Sequence, residues 1–281
     1  MNLLGHQKAA RALLMTIYTP QDISYSPMGR MLLGWYTRFD LYGALIGGYR
    51  SSLPQEWVTC PHEYSVQMVD QLSTMKDVDD STYYRLKINK VVTQLRMVSY
   101  ELANLTSDIT KQRISFEQFL EEEKVLSARI DAWRTEMDSS LLDSQFAVTD
   151  FTGGPPSDYP KTDIVNPYQP GLLLRGELWP MNILRQDHMG VEIMLKYLNF
   201  SMAKGMGLPQ GEDGSPLHLD LQQLSYQTLQ YFEAIEYWPG SPKGGIIAAQ
   251  AALGIAPLLL VKDDRHERWF RQKMAVVECQ G

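Results

Sequence analysis

Apolar residues recur at three- and four-residue spacing along almost the whole of this chain, while the two-residue alternation of a half-buried strand is scarce. That period predicts an all-α fold: a single multi-helix domain over residues 1–281, built of antiparallel helical hairpins. The local signals agree with it. "SPMGRMLLGWYTRFDLYGALIGGY" begins with a Ser-Pro helix start and ends in Gly47-Gly48, a glycine stop. "LPQEW" opens the next helix, with Pro54 early and Glu56 near the positive end of the helix dipole. Two long amphipathic stretches, "YYRLKINKVVTQLRMVSYELANL" and "SFEQFLEEEKVLSARIDAWRTEMDSSL", are joined by the polar "TSDITKQRI", which predicts a helical hairpin with Ser115 and Gln118 in a capping box.

The helical period breaks once. Residues 149–171, "TDFTGGPPSDYPKTDIVNPYQPG", hold five prolines and three glycines, a density no helix tolerates. The stretch is also more apolar than a free linker needs. We expect residues 143–171 to form an ordered Pro/Gly-rich crossover packed on the surface.

Charge and cysteine usage narrow the function classes. A net charge of -7 is a poor match for nucleic acid, where affinity comes mainly from Lys and Arg neutralising phosphates, so no direct nucleic-acid partner is expected. Two distant cysteines, Cys60 and Cys279, exclude a disulfide framework and the cysteine-rich zinc modules, which suits a nuclear or cytoplasmic protein. The N-terminus lacks a signal-peptide pattern. The most membrane-like segment, "GIIAAQAALGIAPLLLV", would span about 25 Å as a helix, short of the roughly 30 Å hydrocarbon layer, and it contains Gln250 and Pro257. It reads as a central core helix, and no membrane partner is expected.

Candidate chemistry is sparse. "DVDD" (Asp77 to Asp80) superficially matches the acid motif of some terpene cyclases, but its place before a long helix suits solvated carboxylates at the helix dipole. "CPHE" (Cys60 to Glu63) has no second ligand pair to complete a metal site, and Pro61 is expected to reshape a helix there. In "RQDHMG", Asp187 and His188 diverge by about 100° around a helix and cannot pair with each other. Either one of them faces a pocket or both belong to a polar stripe against a neighbouring helix. "EEEK" (Glu121 to Lys124) is a wet helix face. In "YWPGSPKGG", Trp238 would pack a helix corner turned by residues 239–242. No Gly-x-Ser-x-Gly, His-Glu-x-x-His or dinucleotide fingerprint is present, and neither a cofactor nor a metal is expected.

Residues 35–57, "WYTRFDLYGALIGGYRSSLPQEW", set an arginine and an aspartate inside an otherwise buried-looking helix. Arg38 lies three residues from Trp35 and four from Tyr42, so its stem can lie along aromatic faces. Asp40, two positions away, points elsewhere and is expected to pair across to another helix. This passage, together with "HQKAARALL", "IEYWPGSPKGGIIAAQAALGIA" and "DDRHERWFRQKMAVVECQG" in the same order, resembles the regulatory domain of fungal zinc-cluster transcription factors, the fungal-specific transcription factor 2 family. The six-cysteine zinc cluster and basic linker that usually open that family are not in these 281 residues. The resemblance thus implies a regulatory domain without its DNA reader, all-helical, with a structural role for Arg38 and Asp40.

Two function classes follow. One is a ligand-responsive regulatory and interaction domain. Its partners would be a hydrophobic small molecule, such as a sterol or a polyketide-like compound, and transcription-regulatory proteins. The other is a stand-alone helical-pocket protein of fungal specialised metabolism, cyclising or isomerising a hydrophobic substrate with Asp187, His188, Arg38 or Asp40 as acid or base. Either reading wants an apolar pocket. Side-chain size places one among the helix of residues 35–47, that of residues 179–202 and the Ala-rich helix 246–255, lined by Trp35, Arg38, Asp40, Tyr42, Trp179, Asp187, His188, Ala249 and Ala252.

Overall fold

The computed structural model describes residues 3–75, 77–151 and 164–280, and it is all-α, as the apolar period predicts. Among the described residues there is no strand; one isolated bridge joins Ala147 and Leu174. The chain divides into two compact units, Met1–Asp138 and Ser139–Gly281.

Among its described residues the first unit holds six α-helices: α1 (Leu3–Ile17), α2 (Pro20–Tyr25), α3 (Pro27–Gly47), α4 (Glu56–Gln71), α5 (Asp80–Thr110) and α6 (Phe116–Thr135). Its spine is α5, whose 31 residues span about 46 Å and against which α3, α4 and α6 pack. The caps are local chemistry. Ser26 accepts from the Gly29 amide and Pro27 takes the first turn of α3. Asp79 of the "DVDD" run accepts from the Thr82 amide at the head of α5, so this carboxylate is a cap. Ser115 and Gln118 form the expected capping box on α6. α5 runs on through Thr110, past the turn expected at residue 106, because Leu105, Thr106 and Ser107 are buried and hold the extra turn. Pro61 lies inside α4 and is buried. A core cluster of Leu14, Ile23, Leu33, Tyr36, Leu53 and Trp57 ties α1 to α4 together.

The second unit holds α7 (Pro180–Gly205), α8 (Pro216–Tyr237), α9 (Gly245–Ala249), α10 (Ala251–Ile255) and α11 (Asp264–Gln280). α7 packs on α8, and the shorter elements gather around that pair. The Ala-rich segment corrects an expectation: it is not one core helix. The Gln250 amide bonds to the Ile247 carbonyl at 3.4 Å and the Leu253 amide to the Gln250 carbonyl at 3.0 Å. These three-residue bonds tighten the backbone and interrupt the α ladder. Pro257, which has no N–H to continue the ladder, then enters a 3-10 turn, Ala256–Leu259. The corner before it is as expected: Trp238 stacks on Trp179, with centroids 5.4 Å apart and planes 28° apart.

Of the crossover expected at residues 143–171, residues 152–163 lie outside the described residues. Its two ends are held by backbone bonds, Val148 N–H to the Leu173 carbonyl and Gly171 N–H to the Val148 carbonyl, both 2.8 Å. Asn182 on α7 clamps the same region through both backbone groups of Leu174, at 2.8 and 2.7 Å.

Candidate functional site

The passage that poses the functional question lies on α3 and the loop after it. Gly48 ends the helix in the left-handed conformation, φ 63°, where a side chain would be strained. The chain then doubles back and lays the Tyr49 ring on the last turns of α3. A Cβ on Gly47 would stand 2.2 Å from the Tyr49 ring and one on Gly43 2.9 Å from its hydroxyl, so both glycines make room for that return.

The return delivers Ser51 and Ser52 to Asp40, which is 0% exposed. The Ser51 hydroxyl donates to Asp40 Oδ2 at 2.5 Å. The Ser52 amide approaches both oxygens, at 3.2 and 3.1 Å. The Gln7 side-chain amide on α1 donates to Oδ1 at 2.5 Å. Tyr36, one turn earlier on the same face, bonds to the Ser52 hydroxyl at 2.6 Å and donates to the Gln7 carbonyl at 3.2 Å. Burial pushes the Tyr36 phenol above its ordinary value against the Ser52 hydrogen bond, and the Asp40 charge adds to the rise. Tyr49 is raised by burial and by Asp40 in turn. Asp40 is thus engaged as a hub that joins α1, α3 and the 48–53 loop.

The opposite face of α3 is apolar and wet. Met28, Leu32, Trp35, Phe39 and Ile46 are all exposed, Trp35 by 51% and Phe39 by 57%, and Met31 beside them by 53%. Trp35 and Phe39 stack on each other, with centroids 6.0 Å apart and planes 21° apart. The aromatic motif therefore splits by helical phase: Tyr36 and Asp40 turn inward, Trp35 and Phe39 outward. Arg38 and Tyr42 are half-buried.

In the second unit, Asp187 is half-buried, while His188, on the inner side of α7, is 3% exposed. Ala249 is buried and Trp179 half-buried against Trp238; the Ala252 side chain lies outside the described residues. The expected pocket residues thus fall as two sets, Trp35, Arg38, Asp40 and Tyr42 in the first unit and Trp179, Asp187, His188, Ala249 and Ala252 in the second. Gln186, directly before the two α7 positions singled out from sequence, is buried. Its Nε2 bonds to the Thr228 carbonyl at 3.4 Å, and its Oε1 has no hydrogen-bond partner among the described residues.

Sequence reading passed over a buried charge cluster between α8 and α11. Lys273 Nζ lies 3.0 Å from Glu233 Oε1, 2.5 Å from Glu236 Oε2 and 3.0 Å from the Tyr237 hydroxyl, and the Trp269 indole donates to Glu233 at 2.6 Å. Burial alone would lower the Lys273 value, but the hydrogen bonds to Glu236 and Tyr237 and the two carboxylate charges hold it above the usual lysine range. Burial pushes Glu236 up. Tyr168, raised by burial and its neighbours Tyr237 and Glu233, reaches about 12. The signal was two carboxylates three residues apart in the otherwise apolar "YFEAIEYW".

Hollows lie in the first unit. A cleft of about 420 Å³ between α5 and α6 is walled by Tyr100, Glu101, Asn104, Asp108, Glu121 and Glu122 among others. Another, of about 460 Å³, runs along α4 past His62, Glu63 and Asp70. Both set carboxylates beside apolar side chains, Leu105, Val125 and Leu126 in the first and Val66 in the second. Among the described residues no three His, Cys, Asp or Glu side chains are placed to hold a metal ion, and no helix is long and apolar enough to cross a membrane. Comparison with protein-family models, with curated proteins and with solved structures finds no match to this chain.

Proposed function

We propose that the chain is a ligand-responsive regulatory and interaction domain of a fungal transcription regulator. The observation that carries the reading is the outward face of α3, an apolar stripe with two exposed stacked aromatics, the kind of surface that marks association with another protein. The inward face supports it: Asp40, the most catalytic-looking group of the passage, is occupied by Gln7, Ser51 and Ser52. A carboxylate so engaged positions backbone and offers little to a substrate. The signal we assign to the domain is a hydrophobic small molecule, such as a sterol or a polyketide-like compound, and its place of action is the nucleus or the cytoplasm.

The test is a reporter assay with the chain fused to a heterologous DNA-binding domain, run against sterols and polyketide-like compounds, with a thermal-shift assay of the purified protein alongside. The reading expects compound-dependent output, lost in Trp35→Ala/Phe39→Ala, and a melting shift that grows with ligand as RT ln(1 + [L]/Kd). Output indifferent to every compound and to both substitutions overturns it.

A further inference from the structure

We infer that the outward face of α3 is the self-association surface of this protein: a second copy docks on it through its own α3, the two helices running antiparallel about a two-fold axis near position 37. The inference rests on the interaction reading above and names the partner.

The spacing of the stripe points to a helix as occupant. Met28, Leu32, Trp35, Phe39, Tyr42 and Ile46 follow one another at intervals of four, three, four, three and four residues. That is the 3.5-residue seam by which one helix packs its knobs into the holes of another. Five of these six side chains are exposed, with Tyr42 half-buried among them. A helix that merely faced water would carry charges here, and this seam has none over five turns.

The identity of that helix follows from symmetry and area. The intervals read the same in both directions about position 37. A two-fold perpendicular to the helix therefore brings Met28 opposite Ile46 of the second copy, Leu32 opposite Tyr42, and Trp35 opposite Phe39, every knob meeting a seam position. Closed two-fold association is also the commonest symmetry of soluble assemblies, and it requires just such a self-complementary patch. At about half exposure each, these side chains present roughly 600 Å² of apolar surface, at the upper end of what an ordinary monomer leaves open. Each partner of a standard interface contributes about 800 Å², and the seam with its exposed neighbour Met31 approaches that. The central Trp35 and Phe39 pairs would be the anchors, large aromatic side chains at the middle of the patch.

The experiment is sedimentation equilibrium of the full chain across a hundredfold concentration range, with circular dichroism as the check on folding. Expected is twice the monomer mass for the wild type and the monomer mass for Trp35→Glu and Phe39→Lys, at unchanged helical signal. Val125→Glu, an equally exposed apolar position on α6, should leave the dimer intact. Orientation is read by spin labels on Met28→Cys in a Cys60→Ser/Cys279→Ser background. Antiparallel packing sets the two labels roughly 27 Å apart along the axis, whereas parallel packing sets them about 10 Å apart. A wild type that stays monomeric, a dimer that survives both seam substitutions, or labels at the shorter distance would each overturn the inference. A dimer with a silent reporter would instead keep this surface and reject the regulatory reading.

Discussion

Lys273 on α11 and Glu233 on α8 face each other at 3.0 Å with both side chains nearly sealed from water. Glu236 sets a second carboxylate against the same ammonium, and the Trp269 indole donates to the same Glu233 Oε1. Removing the ammonium leaves two carboxylates buried together. Lys273→Met is expected to lower stability by about 3–5 kcal/mol, measured by urea denaturation. Adding Glu233→Gln to it should restore part of the loss. The linkage has a definite sign: Lys273 is raised, so its contribution is complete below the ordinary lysine value and is lost only as pH climbs through the raised one. The alkaline loss of stability should therefore be shallower in Lys273→Met, which starts lower and has no ammonium to deprotonate.

Asp40 gives a second test. Asp40→Ala leaves the Gln7 amide, the Ser51 hydroxyl and the Ser52 amide without their acceptor, and each buried unpaired group costs about 1–3 kcal/mol. We expect a loss of at least one such step in chemical denaturation, with faster hydrogen exchange at Ser52. An unchanged midpoint would mean that the 48–53 loop is held by Tyr36, Tyr49 and Leu53 without Asp40.

His62 should set the neutral-to-acid slope. Its Nδ1 lies 3.1 Å from the Thr93 hydroxyl. Burial, helped by the positive charges of Lys90 and Arg129 against the opposing Glu63, lowers its value. A depressed folded-state value means that the stability is whole above the unfolded imidazole value of about 6.5 and drains away as pH falls through the folded one. Denaturation midpoints should fall between pH 7 and 5 in the wild type, and less in His62→Gln.

A further acid limb belongs to Asp108. Arg50 grips it with two hydrogen bonds, at 2.9 and 2.5 Å, and Arg113 adds a third at 3.3 Å. The Arg50 bonds, outweighing burial, lower its value. Its contribution is present above the ordinary carboxylate value and disappears as pH falls through the lowered one. Because Arg50 is half exposed, salt screens the pair and its worth is about 1 kcal/mol or less. Asp108→Asn should flatten the stability curve below about pH 4 and lose its salt dependence.

The helix ends were readable because their signals are chemical and local: Ser26-Pro27, Ser115 with Gln118, and Gly48 each do what their side chains dictate. Which way α3 faces was not readable. Leu33, Tyr36, Leu41 and Ala44 fill its inner face while Met28, Leu32, Trp35 and Phe39 fill its outer one, so the helix is apolar nearly all round, a pattern that reads as fully buried. Lys273 escaped for the converse reason. "DDRHERWFRQK" is mostly charged, and nothing in that string tells the one lysine that reaches Glu233 from the charges that stay in water. The break at Gln250 depends on two hydrogen bonds of three-residue reach, a backbone event that no side chain in "AAQAA" announces.

That break bears on how the second unit comes into being. Helices as short as α9 and α10 cannot stand by themselves, since nucleating a turn orders several residues for one hydrogen bond. They form only once α7 and α8 offer a surface to condense on. Until then the nascent chain carries "GIIAAQAALGIAPLLLV" open to water, and transiently exposed apolar segments of this kind are what drives partly folded chains to aggregate. The last elements to settle are the ones whose delay does most harm, which makes this segment the natural place for a chaperone to hold the chain.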